Sequence, residues 1–186
     1  MTGMHALWLP ILLSAVFVFI MSSIIHMLSP WHKDDYPTIP HEDAVRAGLG
    51  PLAIPPGDYM VPRPPTRADM NSPEFLAKLK EGPVLIVTVL RNEMMNMGRN
   101  LGMWFVYLLV VGTFAAFITG RALPPGAPAD RVRLFAGISA FLSYALGLWQ
   151  MYIWYHRSVT NTIKATVDAV IYGAITAFTF AWLWPS

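Results

Sequence analysis

Asp168 is the one acid set well inside an apolar stretch of this chain, five or six residues from the start of that stretch. That places it roughly 8 Å along a helix axis from the nearer membrane edge. Tyr172 follows at i+4 and shares its face, as do Thr176 and Thr179. An ionisable group at such a depth is costly to keep, and where it does chemistry it relays protons or coordinates ions. Gln150, on the preceding apolar stretch, lies about as far from the same membrane side. The spacing predicts that Asp168 and Gln150 approach one another across the contact between those two stretches. Two structural alternatives compete with this reading: a polar clamp, or a local pair with Lys164 one turn earlier.

A second set of residues suits metal chemistry. His26, His32, His41 and His156 belong to one side of the membrane, together with Met21, Met27, Met94, Met95 and Met97. Neutral imidazole and thioether favour a copper-type ion, with His26, His32, His156, Met94 and Met97 as the ligand candidates. No His-x-x-x-His pair and no repeated Met-x-x-Met series supports it, and methionine commonly fills gaps in apolar packing. Solvated or packed histidines are therefore the plainer account. Asp34, Asp35, Glu42 and Asp43 make a short acidic group near His32 and His41, which reads as a solvated loop with acids at a helix start. The chain has no cysteine, which excludes disulfides, thiolate metal sites and thiol catalysis. No glycine-rich phosphate loop, G-x-S-x-G elbow or His-Glu-x-x-His motif occurs. An enzyme is not expected. The mixed net charge of +2 gives no reason to expect nucleic acid.

These residues are held by an all-α integral membrane framework. Hydrophobic residues make up 55% of the 186 and charged ones only 13%, far below the usual quarter. Four apolar segments, Ala6–Leu28, Leu101–Ala122, Leu134–Tyr155 and Ile163–Trp184, are each long enough to cross a hydrocarbon core of roughly 30 Å. The first lacks a basic lead and a small-x-small exit, so it reads as a retained helix rather than a signal peptide. Ser29–Gly98 forms an extramembrane insert of roughly seventy residues, expected to be mostly irregular. Its run Pro51–Pro65 holds six prolines, with a turn at Pro56-Gly57-Asp58. His41–Gly48 is a short helical stretch. Ser72-Pro73-Glu74 starts another helix that ends by Gly82. Val84–Leu90 reads as one buried strand. Arg99–Ser186 carries the remaining three segments as one unit.

Small residues at four-residue spacing mark the helix faces expected to pack. They are Gly112, Ala116 and Gly120 on the second segment, and Ser139, Ser143 and Gly147 on the third. On the fourth they are Ala169, Gly173 and Ala177. Close backbone approach drives helix association in lipid, so these stripes predict packing among the last three segments, with a homodimer face as the alternative. The first segment is expected to be tied to them only through the insert. Lys and Arg crowd the insert and the link from Arg157 to Thr162, which predicts a cytoplasmic insert and both termini outside.

The pieces His32-Lys33-Asp34-Asp35-Tyr36, Pro55-Pro56-Gly57-Asp58-Tyr59, Gly82-Pro83-Val84, Asn96-Met97-Gly98 and Leu148-Trp149-Gln150 resemble a group of small bacterial inner-membrane proteins. The resemblance implies a bacterial inner-membrane location and brings no activity, cofactor or catalytic residue. The leading expectation is a non-enzymatic scaffold or accessory subunit, in contact with the bilayer and with a membrane-protein partner or a second copy. Its proline-rich insert would be the docking surface, since an extended proline-rich segment has little ordering entropy to lose. The alternatives are an ion-pathway subunit working through Asp168 and Gln150, and a copper-type metal-handling protein.

Overall fold

A computed structural model describes all residues, Met1–Ser186. Four helices are long and apolar enough to cross a membrane: Trp8–Leu28, Met97–Ala122, Ala129–Tyr155 and Val159–Trp182. The first is regular as α1 over Trp8–Ser23 and then widens into a π turn over Ile24–Leu28. In chain order the remaining helices are α2 (Glu42–Leu49), α3 (Pro73–Glu81), α4 (Met97–Ala122), α5 (Ala129–Tyr155) and α6 (Val159–Trp182). The two strands are β1 (Gly57–Val61) and β2 (Leu85–Val89).

The chain divides into a helical unit, Met1–Tyr36 with Asn96–Ser186, and a separate unit, Pro37–Met95. The expectation of one mostly irregular insert over Ser29–Gly98 is therefore corrected. Its first residues, through Tyr36, belong to the helical unit, and Pro37–Met95 contains helices and a strand pair. Ser72 caps α3 through Phe75 N–H at 3.2 Å, with Pro73 in the first turn, where its missing N–H costs nothing. Of the expected turn at Pro56-Gly57-Asp58, the chain bends at Pro56, while Gly57 and Asp58 already begin β1. Gly57–Val61 is free of proline, so its N–H groups can pair antiparallel with β2 in the register Gly57 to Val89 through Val61 to Leu85. Thr88 Oγ1 donates to Asp58 Oδ1 across the pair at 2.6 Å. The strand is not buried as expected, for reasons given below.

In the helical unit α1 packs against α4 and α6, α4 against α5, and α5 against α6. The first apolar segment is thus an integral part of the bundle. Gly112 and Gly120 of the expected stripe are buried, but they receive α1 and its lead-in rather than the last two helices. A Cβ on Gly112 would meet Ile11 and Ser14 at 3.4–3.5 Å. One on Gly120 would come within 2.7 Å of the Thr2 carbonyl oxygen. Thr2 N–H donates to the Gly120 carbonyl at 2.7 Å, and the Thr2 hydroxyl donates to the Leu123 carbonyl at 3.0 Å. Ala116 is buried with Leu7, Val132, Ala136 and Phe180.

The Ser139–Ser143–Gly147 face of α5 is not the packing face. Ser143 and Gly147 are exposed, and nothing lies within 4 Å of a Cβ placed on Gly147. Ser139 and Ser143 hydroxyls donate to the carbonyls of Phe135 and Ser139 in their own helix, so they need no neighbour. The buried ridge is Val132, Ala136, Ala140 and Tyr144, with Gly137 beside it. On α6 the expected stripe does serve: Ala169, Gly173 and Ala177 are buried. A Cβ on Gly137 would lie 2.9 Å from Ala177 Cβ, and one on Gly173 would lie 3.1 Å from the Gly137 carbonyl oxygen. Each glycine lets the other backbone in, which is how dispersion holds helices in a solvent as apolar as they are. The chain's lack of cysteine makes this contact testable. Cysteines at Gly137 and Ala177 need a shift of about 1 Å to reach the usual Cβ spacing of a disulfide. Mild oxidation of the Gly137→Cys/Ala177→Cys variant in membranes is expected to cross-link α5 to α6 in most molecules, visible as resistance to separation after proteolysis between them. A Gly147→Cys/Ala177→Cys control is expected to stay reduced.

Candidate functional site

Three local features deliver polar groups to one end of the helical unit. The first is the end of α1. There the Ser29 N–H bonds back to the Ile24 carbonyl five residues earlier, at 3.0 Å. A π turn of this kind is infrequent and re-aims the side chains it carries, here including His26. The second is the tight turn Pro30–His32, capped by Ser29, whose Oγ accepts from Trp31 N–H at 3.3 Å. It swings His32 and Asp35 back over the bundle. The third is the first part of α6, which presents Asn161, Lys164 and Asp168 on successive turns.

Asp168 is buried, 3% exposed. Its partner is His32, whose Nε2 lies 2.8 Å from Asp168 Oδ2. His32 Nδ1 lies 2.6 Å from Asp35 Oδ2, and Lys164 Nζ donates to Asp35 Oδ1 at 2.8 Å. Asn161 Nδ2 donates to the Asp35 carbonyl at 2.9 Å, and Lys164 also sits 5.7 Å from the Trp31 ring centre. The result is a polar chain, Lys164–Asp35–His32–Asp168, running from the surface to the first buried turns of α6. Each nitrogen of the His32 ring faces a carboxylate oxygen, Asp35 on one side and Asp168 on the other, and two such contacts need two shared protons. A neutral ring requires one of them to rest on a carboxyl. Burial opposes ionisation of Asp35. The hydrogen bonds from Lys164 and His32, with their positive charge, outweigh it and hold the carboxyl below its ordinary range.

The expected Asp168–Gln150 pair does not form. Gln150 is exposed near the end of α5 and makes no side-chain hydrogen bond, while His32 occupies the accessible oxygen of Asp168. Lys164 reaches Asp35 rather than Asp168. Tyr172 is placed as expected, buried one turn deeper, with its ring 5.5 Å from Tyr144 and 6.3 Å from Trp104. Both the Tyr172 hydroxyl and Asp168 Oδ1 are buried without a hydrogen-bond partner.

The soft ligand set is dispersed. Met94 is 93% exposed, and Met97 opens α4 with more than half its surface exposed. His156 terminates α5 in the left-handed region at φ 52, exposed, with the Arg157 N–H closing the turn on the Met151 carbonyl at 3.3 Å. Its role is to turn the chain. Of the five candidates only His26 and His32 come together, with ring centres 4.2 Å apart and planes 10° off parallel. A copper-type site with thioether ligands is therefore not assembled. Donor atoms of His26, His32 and Asp168 do lie within 4.8 Å of one another, a nitrogen–nitrogen–oxygen set. The partnership of His32 with Asp168 spans 136 residues of sequence and had no local signal; Asp35, three residues on at helical spacing, was the nearest hint.

A second surface lies in the unit Pro37–Met95. No residue in it is buried. Leu85 and Ile86 of β2 are exposed, as are Met60, Val61, Leu52, Leu76 and Leu90. With only two strands, β1 and β2 each keep one edge unpaired; the face with Met60 and Ile86 is exposed, and the face with Tyr59, Val87 and Val89 is half-buried.

Comparison with models of protein families, with curated proteins and with solved structures finds no match.

Proposed function

We propose that the protein is a non-enzymatic accessory or assembly subunit of a membrane complex, held in the bilayer by its four long helices and engaging another membrane protein through Pro37–Met95. The observation that carries this reading is the absence of any buried residue in that unit. A two-stranded pair is marginal in water, and apolar side chains on an open strand edge are a template for further pairing. By contrast, the helical unit encloses its own aromatic and small-residue core and pairs its membrane-edge charges internally. The excess of Lys and Arg in Ser29–Gly98 favours a cytoplasmic position for the unit, and the resemblance described above favours a bacterial inner membrane.

The experiment is native gel electrophoresis of mildly solubilised membranes. Wild-type protein is expected to migrate in an assembly well above its own 20.7 kDa plus detergent. Replacing Leu85, Ile86 and Leu90 together by Ser is expected to shift most of it to the size of the single chain while leaving thermal unfolding of the helices unchanged. Migration of the wild type as a single chain, or an assembly indifferent to the triple substitution, overturns the reading.

A further inference from the structure

We infer that His26, His32 and Asp168 form a binding site for one divalent transition-metal ion of the zinc class at the membrane edge. The site is independent of the docking role of Pro37–Met95.

His26 already holds the tautomer a metal requires, and at His32 the ion takes the place of the proton between Nε2 and Asp168, that proton leaving to solvent. His26 Nδ1 lies 3.0 Å from the Ser22 carbonyl oxygen. A carbonyl only accepts, so Nδ1 carries the proton and Nε2 of the neutral ring keeps its lone pair free. His32 Nδ1 is held by Asp35 at 2.6 Å, which leaves His32 Nε2 as the atom turned toward Asp168. Imidazoles that bind metal characteristically donate the other ring N–H to a carboxylate or a backbone carbonyl, and both arrangements are present here side by side. Asp35 is in turn fixed by Lys164.

The third donor is independent of this argument. Asp168 carries one oxygen against His32 and a second, Oδ1, that is buried and unpartnered. A buried carboxylate oxygen without a donor is costly and calls for a cation or a proton donor. The donor atoms lie within 4.8 Å of one another, whereas tetrahedral bonds of about 2.0–2.1 Å bring ligand atoms to roughly 3.3 Å apart. Closing that gap takes a movement of one ring donor by up to about 1.5 Å. His26 is the ring to move: it is exposed, on the π turn, and its one hydrogen bond is to Ser22, so it can tilt out of its stack on His32. Two imidazoles and one carboxylate match the set that holds zinc with a fourth position open to water, and the same set accepts other divalent ions of that series.

The test uses the purified full chain in detergent, stripped with chelator and titrated with Zn²⁺ by calorimetry. Co²⁺ serves as a second probe, because its visible absorption reports tetrahedral nitrogen–oxygen ligation. One ion per chain is expected. His26→Ala is the informative variant, since His26 is exposed and makes no contact on which the bundle depends; circular dichroism is expected to be unchanged. Loss of Zn²⁺ affinity by about tenfold or more in His26→Ala, with loss of the tetrahedral Co²⁺ bands, supports the site. Asp35→Asn, acting through His32, is expected to weaken binding by about 10–100-fold with the Co²⁺ spectrum shifted but present. Absence of stoichiometric binding in the wild type, or a change in His26→Ala smaller than about tenfold, overturns it.

Discussion

Replacing His32 by alanine is expected to destabilise the helical unit by about 1–3 kcal/mol or more, the usual cost of leaving a buried polar group without its hydrogen-bond partner. His32 bridges Asp35 and Asp168 at 2.6 and 2.8 Å, so its loss strands a carboxylate that is already 3% exposed and short of one hydrogen bond. It also loosens the chain between Ser29 and Asp35 from α6, where the remaining ties are Lys164 and Asn161 on Asp35 and Lys164 over the Trp31 ring. Thermal unfolding in detergent, followed by circular dichroism, measures the effect. The double variant His32→Leu/Asp168→Leu is expected to recover much of the loss, since a buried pair replaced by apolar side chains of similar size is often close to neutral. A non-additive cycle of that sign identifies the interaction as direct. His26→Ala, by contrast, removes the contact to Ser22 and the exposed stack on His32, and is expected to change stability by less than about 1 kcal/mol. If His32→Ala unfolds within about 1 kcal/mol of the wild type, the polar chain is not what closes α6 on the exit of α1.

Gly173→Leu is expected to cost about 3 kcal/mol or more, because it overpacks the close contact between α5 and α6. A Cβ at Gly173 would stand 3.1 Å from the Gly137 carbonyl oxygen and 3.2 Å from Phe141 Cβ. The carbonyl belongs to backbone and cannot swing aside, so α5 and α6 must separate to admit the side chain. The matched control is Gly147→Leu. Nothing lies within 4 Å of a Cβ there, and the expected change is within about 0.5 kcal/mol. Thermal unfolding of the two variants, together with cross-linking of the Gly137→Cys/Ala177→Cys pair in the Gly173→Leu background, reads the separation. Equal effects at Gly173 and Gly147 would mean that the two faces of α5 are misassigned.

The contrast between those two glycines shows how far the sequence could be read. The four long helices were legible because hydropathy sustained over a full span is a property of the segment itself. Ser72-Pro73 marked the start of α3 because capping is local. Which face of α5 packs was not legible. Small residues recur at i+4 on two adjacent rows of that helix, Ser139–Ser143–Gly147 and Ala136–Ala140, and only the second is buried; the first meets α4 through the Tyr107 hydroxyl on the Ser143 carbonyl. The stripe on α4 was expected to meet the last two helices, but its glycines receive α1 and its lead-in, about a hundred residues or more away in sequence. The strand pair was half legible. β2 showed its β-branched run, while β1 lay inside a proline-rich stretch whose five proline-free residues are enough to pair. The site followed the same rule. Asp168 stood out as an acid in hydrocarbon, but its partner came from a histidine 136 residues earlier, delivered by a π turn and a tight turn with no signature in residue type.

Hydrogen exchange of the β1 and β2 amides, compared between native membranes and the purified chain in detergent, tests most directly the claim that Pro37–Met95 is completed by a partner. The unit has no buried residue and only a two-stranded pair to order it, so its ladder amides are expected to exchange within seconds to minutes when the chain is alone. In native membranes the same amides are expected to be protected by about 100-fold or more, while α5 and α6 are equally slow in both. Strong protection of β1 and β2 in the isolated chain, or exchange equally fast in both settings, would contradict the account.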